Sequence, residues 1–366
     1  MKIVVIAPLP PPVTGQSIAV QTLVESLKGR EDVEVIDSKK KGFQQGVDSL
    51  GRVSDIATIL MEVWRIRRSA EVIYFNVSQS IAGNLKDLLT YIICWNRLNR
   101  VVVHLHGGAG MRELLSSKHP LLRVVNSFFL RRLGAVIVLG DRLKSIYKDV
   151  VPQARLYAVP NFSKDDLFVS PSDIDEKFAC VEPLRLLFLS NLLPGKGHEE
   201  LLTALSVLPV DVRQHLHVDF AGGFESPEEE ARFRKQAQAI KSVQINVLGI
   251  VHGEQKRDLL RKAHLFCLPT YYPYEGQPIG ILEAYASGCA VMTTDHSGIF
   301  DTFTPGVNGI EVKPRSPESI ALAIQHAMTH TQELCVYAKN NHSQAQQKYR
   351  TSTHLEALEK IIFSVA

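Results

Sequence analysis

The chain has 366 residues, 45% of them apolar and 22% charged, with a net charge of +3. At about 150 residues per domain that length predicts two domains, and the composition excludes a disordered, collagen-like or coiled-coil chain. No apolar run approaches the roughly 18 residues of a membrane-spanning helix. The run 3–9 is too short for a signal-peptide core and ends in Pro10, Pro11 and Pro12. The five cysteines (94, 180, 267, 289 and 335) are scattered without a CxxC pair. They indicate neither a zinc ribbon nor a disulfide framework and suit a reducing, cytosolic setting. The charge is uneven: residues 1–170 carry 23 Lys+Arg against 15 Asp+Glu, a net of +8, and residues 171–366 a net of −5. Such a split points to an anionic surface or substrate on the first half, with solvated faces as the plainer reading.

Short β-branched runs predict strands at 2–7, 33–36, 72–76, 101–105, 135–139 and 156–159. A second series follows at 184–190, 218–221, 245–248, 265–268, 290–293 and 309–312. Helical periodicity lies between them, as at 17–27, 57–67 and 201–208, and continues after Pro314 to the end of the chain. Alternation of this kind predicts an α/β protein with two doubly wound parallel sheets, which bind ligands at the carboxyl ends of their strands. The polar stretch 161–182 reads as a linker. The expected boundaries are an N-terminal domain at 1–166, a linker at 167–183, a C-terminal domain at 184–345 and a last helix at 346–366.

Four segments carry candidate chemistry. In the first, Glu275-Gly-Gln277-Pro278 precedes a predicted helix from about Pro278 to Ser287. Free N–H groups of Ile279, Gly280 and Ile281 would make an anion site suited to a phosphate, and Gly280 would let a ligand approach the backbone. Glu275 and Glu283 could accept hydrogen bonds from sugar hydroxyls; a helix-end charge and a surface residue are the alternatives. In the second, Asn191 and Gly195-Lys196-Gly197 form a loop after a strand, where a cation suits phosphate charge. The spacing excludes a P-loop. In the third, His104 and His106 share one face of a strand, and His106 abuts Gly107-Gly108. Two histidines alone are a weak metal signal, and no metal site is expected. In the fourth, Gly15 opens the first helix, with Thr14 or Ser17 as caps. One glycine there does not make a dinucleotide fingerprint, which excludes an NAD-dependent dehydrogenase.

Taken together and in order, these segments resemble the retaining GT-B glycosyltransferases of glycosyltransferase family four. Glu275 and Glu283 have the spacing of that family's E-x7-E motif, and the pieces Val159-Pro160-Asn161, Phe220-Ala-Gly-Gly223 and Thr294-Asp295-His296-Ser297-Gly298 also match. The resemblance implies two Rossmann-like domains facing a cleft, with the last helix crossing back to the N-terminal domain. It implies a nucleotide-sugar donor, UDP first and GDP second, held by the C-terminal domain without a metal or other cofactor. Glu283 would hold the ribose, Glu275 with the backbone at Gln277 and Ile279 the donor sugar, and Lys196 with Ile279 and Gly280 the diphosphate. Gly15 would approach the phosphates and His106 the donor sugar. Asn191 stands where the family often has Arg, which removes one cation from the expected clamp.

On the acceptor side the resemblance implies the basic N-terminal half. Basic residues there sit among aromatics and leucines, in Trp64-Arg-Ile-Arg67-Arg68, in Trp95-Asn-Arg97 and at 121–132. The expected acceptor is a lipid-linked saccharide of bacterial cell-surface polysaccharide synthesis, reached by a cytoplasmic enzyme peripheral on the plasma membrane, with a possible anionic membrane surface as partner. The alternatives are a soluble acceptor, a nucleotide-sugar epimerase and a non-catalytic nucleotide-sugar binding protein. No nucleic-acid motif appears.

Overall fold

The computed structural model describes residues 1–11, 14–38 and 49–366; Pro12 and Val13 of the proline-rich entry to the first helix lie outside them. The chain divides into two compact units, Met1–Asn161 with Ser352–Ala366, and Phe162–Thr351.

The first unit is built on a six-stranded parallel sheet of β1 (Lys2–Ala7), β2 (Asp32–Asp37), β3 (Val72–Asn76), β4 (Val101–Leu105), β5 (Ala135–Val138) and β6 (Leu156–Ala158). The spatial order is β2-β1-β3-β4-β5-β6. Both faces are covered by helices, so strands such as IVVIA of β1 read as unbroken apolar runs and are fully buried. The last helix, Thr351–Ser364, belongs to this unit. Its Leu358 and Ile362 pack with Ile3, Val5, Val20 and Leu23. Its Glu359 accepts from Ser26 Oγ at 2.9 Å and pairs with Arg30.

The second unit contains β7 (Leu184–Leu189), β8 (Leu216–Ala221), β9 (Gln244–Gly249), β10 (Leu265–Leu268), β11 (Ala290–Thr293) and β12 (Gly309–Glu311). Their order is β12-β11-β10-β7-β8-β9, again all parallel. Strand order therefore differs between the units, although their strand patterns read alike. In the first, the order reverses between β1 and β3. In the second, β7 leads outward to β8 and β9 on one side, while β10 starts the return on the other. The gap between the ends of β7 and β10 is thus the switch point at which doubly wound sheets bind ligands.

The stretch read as a linker contains a helix, Pro171–Ala179, opened by a reciprocal cap between Ser170 and Asp173. Ile174 packs against Val169 and Ala338. The half-buried Lys177 donates through its ammonium to the carbonyls of Ser287 (2.7 Å) and Gly288 (2.9 Å), capping the C-terminal end of the Ile279–Ala286 helix. Burial pulls its pKa down. Only one residue of this short helix is buried, so its periodicity is faint in the sequence.

Candidate active site

Two loops meet at the switch point of the second unit. One follows β7 and runs through Asn191 to Gly197; the other follows β10 and runs from Pro269 to Pro278. Gly195 and Gly197 adopt positive φ of 92° and 89°. A Cβ on Gly197 would lie 2.4 Å from the Pro269 carbonyl oxygen, so only glycine lets the loops close on each other. Tyr271 N donates to Gly195 O at 2.7 Å across the same seam. Gly197→Ala is expected to cost about 1–3 kcal/mol from backbone strain and the collision. Urea unfolding of the two proteins measures it.

The seam brings Lys196 to Glu275. Nζ lies 2.7 Å from Oε2, and the two side chains are only 12% and 9% exposed. Thr270 Oγ1 donates to the same oxygen at 3.3 Å, and the Lys196 ammonium sits 4.7 Å from the centre of the Tyr272 ring. Lys196 is therefore not a solvated loop lysine. The turn carrying Glu275 is braced from the loop after β11: Ser297 Oγ donates to Glu275 O at 2.6 Å, and Gly298 N to Gly276 O at 3.0 Å. His296 Nε2 and Tyr272 O are 2.8 Å apart.

The helix after this turn begins at Ile279, with Pro278 as its cap residue and no side-chain cap. The sequence reading differs in two details. Pro278 precedes the helix, and Ile281 N already donates to Pro278 O at 3.2 Å. That leaves Ile279 and Gly280, both half-buried, at the helix start. The protein itself already crowds Gly280: a Cβ there would lie 3.2 Å from Leu189 O and 3.1 Å from the Phe266 ring. Gln277 is buried in the turn. Glu283, one turn into the helix, is buried, and its Oε1 accepts from Lys256 Nζ at 2.6 Å. Lys256 comes from the Gly253–Lys262 helix and was invisible to sequence reading, as one charge among many. Thr270 and Ser297 were likewise missed as partners of Glu275. Asn191 is exposed, at the start of its loop.

Gly15 and His106 belong to the first unit. Gly15 is the first residue of the Gly15–Lys28 helix, which Thr14 and Ser17 cap reciprocally. His106 follows β4, its ring 4.0 Å from that of His104, as the strand alternation requires. His104 Nδ1 is 2.6 Å from the Tyr74 hydroxyl, and His354 of the last helix has Nδ1 2.6 Å from Pro160 O. Burial, with His354 nearby, lowers the His106 pKa to about 3. Burial thus keeps this imidazole uncharged at neutral pH.

The Glycosyl transferases group 1 model matches residues 163–345, half the chain and almost the whole second unit. Mannosylfructose-phosphate synthase of Agrobacterium fabrum is 28% identical over 190 residues, which are 48% of this chain and 40% of that protein. The chain spans less than half the length of the curated relatives it matches. The fold matches that of Anabaena Alr3699/HepE, solved with UDP and glucose, at a TM-score of 0.74 and 18% identity over 100% of both chains. Sucrose-phosphate synthase of Thermosynechococcus elongatus matches at 0.75 and 16%, also over 100% of both. Two parallel six-stranded units, the GT-B fold of these neighbours and the family match over the unit holding Lys196, Glu275 and Glu283 place the chain in the Glycosyl transferases group 1 family.

Proposed function

We propose that the chain is a retaining, metal-independent glycosyltransferase that moves a sugar from a UDP-sugar, with GDP-sugar second, to a lipid-linked saccharide on the cytoplasmic face of a membrane. The observation that carries the donor part is the Lys196–Glu275 pair beside the open start of the Ile279–Ala286 helix, at the switch point of the second sheet. In the reaction, the bond from the anomeric carbon to the β-phosphate oxygen breaks and its electron pair stays on the diphosphate. The acceptor oxygen bonds to the anomeric carbon and gives its proton to the leaving β-phosphate oxygen. Negative charge grows on the leaving diphosphate. Lys196 and the N–H groups of Ile279 and Gly280 stabilise it from fixed positions. Glu275, one oxygen held by Lys196 and Thr270, offers the other to the donor sugar. Glu283, oriented by Lys256, accepts from the ribose hydroxyls. His106 and Gly15, on the first unit, are the family resemblance's candidate contacts to the donor sugar and the phosphates.

The UDP bound to Alr3699/HepE supports the base. The net +8 of residues 1–170 supports an acceptor bearing phosphate. A soluble sugar phosphate is the second reading of the acceptor, favoured by the names of the two synthases. Calorimetric titration with UDP, GDP, ADP and CMP, with and without magnesium, tests the donor site. UDP is expected to bind without magnesium, and Glu283→Gln to weaken it about tenfold or more by removing a charged acceptor. In the same series His106→Ala keeps UDP affinity but loses transfer. Binding by none of the nucleotides overturns the proposal. Binding with neither transfer nor donor hydrolysis identifies a binding protein, and conversion of the sugar without acceptor an epimerase.

A further inference from the structure

Three helices of the first unit, Ser49–Ile66, Ile81–Ile93 and Pro120–Leu130, adjoin one another, with the turn Trp95–Arg100 beside them. The outward face of Ile81–Ile93 is unusually apolar. On Ile81–Ile93 every exposed residue is apolar: Ile81, Ala82, Leu85, Leu89 and Ile92. Positions 81, 85, 89 and 92 fall on one stripe of the helix. Leu85 is 60% and Ile92 56% exposed, while Leu88 and Tyr91 on the other side enter the core. The only charged residues of this helix, Lys86 and Asp87, are buried and paired at 3.4 Å.

The stripe continues on both neighbours. On Pro120–Leu130, Leu121, Val124 and Phe128 face outward at i, i+3 and i+7, whereas Phe129 and Leu130 are buried. The Trp95 and Phe128 rings stack at 5.6 Å, and the Arg132 guanidinium lies 3.8 Å from the Phe128 ring centre. On Ser49–Ile66, Met61 and Trp64 are exposed, with the Arg67 guanidinium 3.3 Å from the Trp64 ring centre. Between 120 and 132 the exposed charges are Arg123, Arg131 and Arg132, and no acidic residue occurs. Asp55 and Glu62 on the first helix are half-buried.

We propose that this face seats the protein on an anionic bilayer, with the apolar stripe in the headgroup boundary and the arginines on lipid phosphates. A 13-residue helix is about 20 Å long, too short for a hydrocarbon core of about 30 Å, so Ile81–Ile93 lies in the plane of the surface. Among the described residues no helix is long and apolar enough to cross a membrane. Aromatic rings bearing arginines suit the boundary, because each offers an apolar body and a polar or charged tip. The positive rim selects anionic lipid over a second copy of the chain, since a two-fold contact would set like charges against each other. The inference rests on the first unit alone, so donor binding by the second unit stands or falls separately.

Flotation of the full chain with vesicles tests it, using phosphatidylcholine alone and phosphatidylcholine mixed with phosphatidylglycerol, at low and high salt. The protein is expected to float with the anionic vesicles at low salt and to lose binding as salt rises. Leu85→Asp/Ile92→Asp is expected to reduce the bound fraction by about tenfold or more, because it places charge in the apolar boundary. Leu121→Ser/Val124→Ser, on a different helix, is expected to act in the same direction. Arg131→Ala/Arg132→Ala flattens the salt dependence. Unchanged melting and UDP titrations show that each variant is folded. The proposal fails if the unaltered chain does not float at low salt, or if the folded Leu and Ile variants float as well as it does. It fails equally if light scattering shows a dimer that Leu85→Asp dissociates and no vesicle binding occurs.

Discussion

Lys196→Met is expected to lower the transfer rate by about 10²–10³-fold, the usual cost of removing one preorganised donor from developing negative charge. The same change is expected to destabilise the protein by about 3–5 kcal/mol, because it leaves the Glu275 carboxylate buried without its cation. These two losses have separate remedies. In Lys196→Met/Glu275→Gln neither side chain is charged, and the amide keeps the shape of the carboxylate and can still accept from Thr270 Oγ1. Most of the lost stability is then recovered, since a buried pair replaced as a unit is close to neutral. Transfer stays low, because no cation faces the diphosphate. Urea unfolding and initial rates on the unaltered, single and double variants check the cycle. Recovery of both stability and rate in the double variant would make the pair a purely structural clamp between the loops after β7 and β10.

Acid is expected to unfold the protein well above the carboxylate range. Burial is the leading cause of a lowered pKa at His104, His106, His198, His264 and His354; the value falls to about 3 at His106 and about 4 at His198, His264 and His354. The unfolded chain binds these protons near pH 6.5, whereas the folded chain resists them until much lower pH. Their stabilising contribution is therefore complete above pH 6.5 and falls as the pH drops toward 4. One unit below 6.5, each of the four histidines at about 3 or 4 costs about 1 kcal/mol, and together about 4 kcal/mol, a large part of the stability of many domains. Calorimetric melting between pH 8 and 5 should show a flat upper region and a steep fall that starts near 6.5. Three of the five lie in the first unit, so where the units melt separately the first is expected to move more. A melting temperature unchanged between pH 7.5 and 5.5 would show that these rings are not held neutral.

Much of the architecture could be read directly. All twelve strands occur where apolar β-branched runs placed them, with shifts of one or two residues at their ends. A parallel strand covered on both faces has to be apolar along its length, and that leaves an unmistakable local signature. The loop glycines around Lys196 and the turn-to-helix segment from Glu275 to Glu283 were legible for a similar reason, since positive φ and helix starts have short-range requirements. Less visible were the helix Pro171–Ala179, with one buried residue, and the outward apolar stripe of Ile81–Ile93. Its Asn84, Lys86, Asp87 and Thr90 read from the sequence as the solvated side, yet the fold buries them and turns Leu85 and Leu89 outward.

The sequence by itself determined which segments become strands and helices, that they alternate into parallel sheets, and which side chains end up at strand ends. Each is a local property of backbone and periodicity. Tertiary structure alone decided the different strand orders of the two units, because parallel pairing joins segments far apart in the chain. It also decided that Lys196 meets Glu275 across 79 residues and Lys256 meets Glu283 across 27. The first pair forms because β7 and β10 are neighbours at the switch point, and both form because a buried carboxylate needs a cation wherever the fold can bring one.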